Sequence, residues 1–254
     1  MAQYTITPLR GGSFAEAETS LLYYLADDRN AGVKIPAVYW MFLVRGEGVC
    51  FLVDTGPGDP ETWQQYHHAF ERQPDEEPIQ ALSRVGVAPD DVQVVINTHL
   101  HWDHCNGNHL FPKAEVRVQA REIIEAMDPV PAHRAFYSPM RANPPWAQVV
   151  QRTRPVQGDS ELAAGVALLS FPSHTEGSQG VLVSTRVGPI LIAGDVLPYF
   201  DNWQGRWGFE HIPSGIFAAS LRDYYACFQR IEALAPAVVL PGVDPRIAEQ
   251  PIYG

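Results

Sequence analysis

The chain has 254 residues, 46% hydrophobic and 19% charged, which is enough to bury a sizeable core in one large domain or two small ones. A formal net charge of −11 leaves no electrostatic footprint for DNA, RNA or an anionic membrane surface. No apolar run approaches the ~18 residues that span a bilayer, and the start, MAQYTITPLRGG, lacks the basic-then-apolar pattern of a secretory signal. Three widely spaced cysteines, Cys50, Cys105 and Cys227, argue against a disulfide framework and for a reducing, cytoplasmic setting.

In chain order, VYWMFLV (38–44) and GVCFLVD (48–54) are apolar runs joined by RGEG, which predicts a buried β-hairpin. PETWQQYHHAFER (60–72) and PIQALSRVG (78–86) read as helical, the second ending at Gly86. VQVVINT (92–98) is a strand of β-branched residues that runs straight into a histidine cluster, and REIIEAM (121–127) is a short helix. GVALLSF, GVLVST and PILIAGD are further strands, followed by a long helix over roughly 216–234 and a last strand, AVVLP. There is no internal repeat and no low-complexity linker, so one domain over 1–254 is expected. Strands alternating with helices, with ligand-type residues at strand ends, form an α/β pattern whose chemistry sits where loops converge.

That chemistry is concentrated in NTHLHWDHCNGN (97–108). His99 and His101 lie two apart, so an extended backbone points both imidazoles to one side, where they can share a metal; Asp103 and His104 follow on the turn. Imidazole and carboxylate suit zinc and its borderline neighbours. With nine histidines in the chain, a chance H-x-H-x-D-H arises on the order of once in a thousand such sequences. His174 in SFPSHTEG and Asp195 in LIAGDV follow predicted strands; each is weak evidence alone, but beside the first cluster they become ligand candidates. Cys105 reads as a small buried residue.

These segments resemble the metallo-β-lactamase superfamily, and within it the N-acyl-homoserine-lactonase-like branch. The resemblance runs through IPAVYWMFLVRGEGVCFLVDTGPGDP, INTHLHWDHCNGN, HTEGSQG, IAGDV and VVLPGVDP. It implies an αββα sandwich: two mixed sheets face to face, helices outside, metals at one edge. It also implies two metal ions, zinc first with manganese or iron as alternatives. His99, His101 and His174 would hold one, Asp103 and His104 the other, and Asp195 would bridge. Asp54 in VDTG is either a turn residue or a group that orients a ligand histidine.

Two positions depart from the pattern. The terminal segment of the family supplies a histidine to the second metal, and here Val243 stands in its place. A weaker second site completed by water, a substitute ligand from His211, His133 or Glu176, or a one-metal enzyme are the alternatives; the Asp244 side chain is expected to point elsewhere. The branch also carries a tyrosine three residues after the bridging aspartate, where this chain has Pro198, followed by Tyr199 as the candidate to serve instead. Aromatic residues in 21–28, 134–146 and 199–215 suggest either a lid over an apolar pocket or plain packing against the sandwich.

The expected activity is metal-dependent hydrolysis, foremost the opening of a lactone or other cyclic ester by hydroxide generated at the metal. Asp103 and Tyr199 are the catalytic candidates, Asp103 as a proton donor to the leaving oxygen. An alkoxide leaves more easily than an amine anion, so a weakened second site suits esters better than amides. The partner is a small molecule with an apolar part. Hydrolysis of a thioester, a β-lactam or a cyclic amide, or metal-dependent ligand binding without catalysis, are the alternatives.

Overall fold

A computed structural model describes residues 3–25, 28–137 and 144–254. The first sheet has six strands in sequence order: β1 (Thr5–Glu18), β2 (Lys34–Gly46), β3 (Val49–Val53), β4 (Val94–Ile96), β5 (Glu115–Gln119) and β6 (Thr153–Val156). β1, β2 and β3 pair antiparallel, and β3 to β6 pair parallel. The second sheet contains β7 (Ser160–Ala163), β8 (Val166–Ser170), β9 (Gln179–Thr185), β10 (Gly188–Gly194) and β11 (Val238–Pro241), antiparallel except for the parallel pair β10 and β11.

Alternation along the strands builds the layers. Val38, Trp40, Phe42 and Val44 of β2, with Val94 and Ile96 of β4, face Val181, Val183, Ile190 and Ile192 of the second sheet in a shared core. The intervening residues Met41, Leu43, Leu52 and Val95 turn outward onto Ala81 and Leu82 of the helix Pro78–Arg84. Leu169, Leu191 and Val239 likewise meet Tyr224, Phe228 and Ile231 of the helix Leu221–Leu234. The two-residue period of a strand thus feeds two apolar layers at once, giving the expected αββα sandwich.

The hairpin forms where expected, with Glu47 (φ 51°) and Gly48 (φ 78°) both left-handed at its turn, the conformation that suits the twist of the flanking strands. The helical reading of 60–72 holds only over Pro60–Trp63, capped by Asp59, whose Oδ2 accepts from the Thr62 amide at 2.9 Å. Beyond it, Glu71 pairs with Ser13 of β1 instead of continuing a helix. The long helix begins at Leu221, not near 216, because Ser220 and Asp223 form a reciprocal capping box. Among the described residues no helix is long and apolar enough to cross a membrane, and the three cysteines are free.

Candidate metal centre

The candidate ligands leave the C-terminal ends of strands that the two sheets bring to one edge. His99 and His101 follow β4, Asp103 and His104 lie on the turn Trp102–Cys105, His174 follows β8 and Asp195 follows β10. One nitrogen each from His99, His101 and His174 lies within 4.8 Å of the others; the same holds for donor atoms of His99, His104 and Asp195. His101 Nδ1 and His174 Nε2 are 3.1 Å apart. Asp195 Oδ2 stands 3.5 Å from His104 Nε2 and 3.7 Å from His174 Nε2, between the two groups as a bridging carboxylate requires. Asp103 Oδ2 is 3.7 Å from His104 Nε2, on the side of the second group.

The surroundings decide which atoms face the centre. Asp54, left-handed at φ 57°, bends the chain after β3 so that its Oδ2 accepts from His104 Nδ1 at 2.8 Å. Its two oxygens also accept from the Thr98 amide and hydroxyl, at 2.8 and 2.7 Å. The Thr98 hydroxyl oxygen in turn accepts from His99 Nδ1 at 3.1 Å, and the Ile216 carbonyl accepts from His174 Nδ1 at 2.9 Å. Each of these three histidines thereby spends Nδ1 on the protein and presents Nε2 inward. Of the two readings of Asp54, the orienting one accords with this geometry. Gly242 is needed for clearance, since a Cβ there would lie 1.9 Å from Asp195 Oδ1.

His99 Nε2, His104 Nε2 and Asp195 Oδ1 are buried without a hydrogen-bond partner. Stranded lone pairs of this kind cost free energy unless a cation takes them up. Burial, and then neighbouring imidazoles, hold His99 and His101 neutral well below the usual histidine range, as ligands must be. Burial pushes the Asp103 carboxyl up to about 6. At His104 burial favours the neutral ring, but Asp103, Asp195 and Asp54 outweigh it and raise the pKa; a cation bound there would replace the proton. At Asp195 burial raises the pKa, but His104 and His174 reverse the shift and keep it ionised. The donor set therefore fits a metal pair.

No sequence signal marked Glu122, which is fully buried in the helix Ala120–Met127. Its Oε1 accepts from the Leu100 amide at 2.8 Å and the Tyr137 hydroxyl at 3.1 Å, and its Oε2 lies 2.5 Å from Thr175 Oγ1. It thus ties the segment of His99 and His101 to that of His174.

Val243 is buried with Ala37, Tyr199 and Ile212 and offers no lone pair. None of the proposed substitutes reaches the centre. His211 gives Nδ1 to the Trp203 carbonyl at 2.7 Å and pairs Nε2 with Glu232 at 3.0 Å. Glu176 pairs with Arg121, and His133 is absent from both donor groups. Asp244 caps the turn after β11 and is held by Arg246 and the Phe200 amide.

A cavity of about 220 Å³ opens over His101, Asp103, His174 and Asp195, walled by apolar side chains such as Leu21, Leu22, Phe136 and Val243. Tyr199 does not line it. The Tyr199 hydroxyl donates to the Pro36 carbonyl, so this candidate is turned away from the centre by its own hydrogen bond. Within 199–215 only Ser214 reaches the cavity, while Tyr199 and Trp207 pack on Tyr23. That segment is packing, whereas Leu21, Leu22 and Phe136 supply the wall; residues 26–27 and 138–143 of the other two aromatic stretches lie outside the described residues. Cys105 is fully buried, as expected.

A model of the metallo-beta-lactamase superfamily matches residues 36–243. An N-acyl homoserine lactonase from a Bacillus species is 28% identical over 195 residues, 72% of this chain and 73% of that relative. A solved N-acyl homoserine lactone hydrolase, with the product N-hexanoyl-L-homoserine at its catalytic metal centre, superposes with a TM-score of 0.76 at 21% identity, over 98% of this chain and 96% of that one. The dizinc quorum-quenching lactonase AidC, also with a product bound, superposes at 0.67 with 17% identity, over 96% of this chain and 91% of its own. The chain belongs to the metallo-beta-lactamase superfamily, in its N-acyl homoserine lactonase-like branch.

Proposed function

We infer that the protein is a metal-dependent lactone hydrolase that opens the ring of an N-acyl homoserine lactone or a close cyclic ester. The observation that carries this reading is the relation to N-acyl homoserine lactonases along nearly three quarters of both chains. The cavity over the ligand cluster supports it, because its apolar wall suits an acyl chain. Residues 1–254 are read as one hydrolase domain, and three free thiols with an acidic surface accord with a cytoplasmic enzyme acting on a small molecule.

His99, His101 and His174 would hold one metal, Asp103 and His104 the second, and Asp195 would bridge; zinc suits this imidazole-rich set, with manganese or iron as alternatives. When bound, such a pair supplies hydroxide near neutral pH and polarises the reacting carbonyl. The chain does the rest. Leu21, Leu22 and Phe136 shield the acyl part from water. Asp54, Thr98 and the Ile216 carbonyl keep the imidazoles aimed. An Asp103 carboxylate oxygen would take up the proton released by the attacking water and pass it to the departing ring oxygen, which becomes the hydroxyl of the product. Thioesters, β-lactams, cyclic amides and non-catalytic binding are less favoured, since the relatives named above are lactonases.

Proton release at constant pH from a panel of acyl homoserine lactones, other lactones, thioesters and β-lactams tests the reading. Fastest turnover is expected on lactones, abolished by chelator and restored by metal. A preference for another ester or amide class, or metal binding with no turnover on the panel, would refute it.

A further inference from the structure

Pro198 stands where the branch has a tyrosine, and Tyr199 is spent on Pro36. The cavity nevertheless has a phenol on its wall. Tyr39 of β2 is 2% exposed and lines the cavity together with Asp103 and Asp195. Its ring is fixed by Phe14, Phe70 and Trp102 at centroid distances of 5.5, 5.4 and 5.7 Å. Its hydroxyl lies 2.6 Å from His68 Nε2, and His68 stands at the rim with its ring against Phe14 at 4.0 Å.

We propose that the Tyr39 hydroxyl, oriented by His68, donates a hydrogen bond to the reacting carbonyl oxygen of the substrate. The inference rests on the lactone-hydrolase reading and adds a catalytic group to it. The Tyr39–His68 pair decides where the phenol hydrogen points. With the imidazole hydrogen on Nε2, His68 donates to the phenol oxygen, and the phenol hydrogen is left for an acceptor in the cavity. Partial burial lowers the His68 pKa, which keeps the ring neutral and able to take that tautomer. Burial raises the Tyr39 pKa from its ordinary value, so the phenol keeps its hydrogen near neutral pH. A donor aimed at the developing oxyanion offsets the incomplete second ligand set at Val243. Tyr39 is thus the catalytic residue and His68 its positioning residue.

Tyr39→Phe keeps the ring packing and removes only the hydroxyl. On an acyl homoserine lactone, kcat should fall ~10²-fold with KM little changed, while bound metal and thermal midpoint stay as in the wild type. His68→Ala should lower kcat by a smaller factor. His68→Gln, whose amide can still donate to the phenol oxygen, should recover part of that loss. A Tyr39→Phe enzyme with unchanged kcat, or with the loss confined to KM, would overturn the proposal while leaving the lactonase reading intact. Loss of metal in parallel with activity would overturn it too, making Tyr39 a support of the metal site. A metal-loaded wild type that opens no lactone would remove both.

Discussion

Replacing Glu122 separates its roles as brace and as buried acid. In Glu122→Ala the Leu100 amide, the Tyr137 hydroxyl and the Thr175 hydroxyl lose their partner. Thr175 can turn to Ser178 Oγ, so two groups are stranded; at ~1–2 kcal/mol for each, the cost is roughly 2–4 kcal/mol, which for a chain of this length lowers the midpoint on the order of 10 °C. Leu100 lies between two ligands and Thr175 beside a third, so metal affinity should fall about 10–100-fold as well. Glu122→Gln behaves differently. Its oxygen still accepts from Leu100 and Tyr137, and its amide donates to Thr175 Oγ1, whose own hydrogen turns to Ser178 Oγ, 2.8 Å away. The glutamine reproduces the protonated acid. Burial raises the Glu122 pKa to about 7, so the folded protein holds a proton that the unfolded chain releases near 4.5. The stability from that proton is full below about pH 4.5 and lost as pH rises through about 7, amounting to ~3 kcal/mol. Urea unfolding of the metal-stripped protein at intervals from pH 5 to 8, with metal affinity by chelator competition, is the assay. The glutamine variant should lack this slope and gain on the wild type as pH rises. An alanine variant as stable and as metal-tight as the wild type, or a glutamine variant as damaged as the alanine, would refute the reasoning.

Asp54→Asn removes the charge that aims His104 and should weaken the second metal about 10–100-fold, seen as earlier loss of one equivalent in stepwise chelation, with the first metal retained. The wild type itself should release its two metals at different chelator strengths, and Val243→His should narrow the gap; equal affinities unchanged by that substitution would show that another group already fills the place. His211→Ala should leave metal content unchanged, because both ring nitrogens are engaged at Trp203 and Glu232; metal loss on elemental analysis would make it a hidden ligand.

What could be read from the sequence follows from how local each signal is. His99, His101, Asp103 and His104 sit within six positions, and His174 and Asp195 end strongly apolar strands, so these candidate ligands are legible in the sequence. The same holds for the hairpin, whose turn residues lie next to each other. β1 left no clean pattern, because Pro8, Gly11 and Gly12 interrupt it and its register slips between Arg10 and Ser13. β6 and β7 are four residues each with no apolar alternation, and β5 alternates over only five. The stretch 60–72 looks helical by composition, yet Glu71 is drawn to β1. Glu122 was hidden in an ordinary amphipathic helix, and its partners lie 15 to 53 positions away. Tyr39 and His68 are 29 apart, and only the closed sandwich brings them together. Tyr199 was a plausible substitute by position, but the chain direction after Pro198 sends its hydroxyl to Pro36.

A metal pair held by this chain would open the lactone. Stoichiometric reconstitution tests that most directly. The protein is stripped with a chelator, zinc is returned in fractions of an equivalent, and hydrolysis of N-hexanoyl homoserine lactone is followed by proton release at each step. Activity should be absent at the start, rise with added metal and level off by about two equivalents, with no recovery in a His101→Ala variant. Full activity in the stripped protein, or no activity once two equivalents are bound, would contradict it.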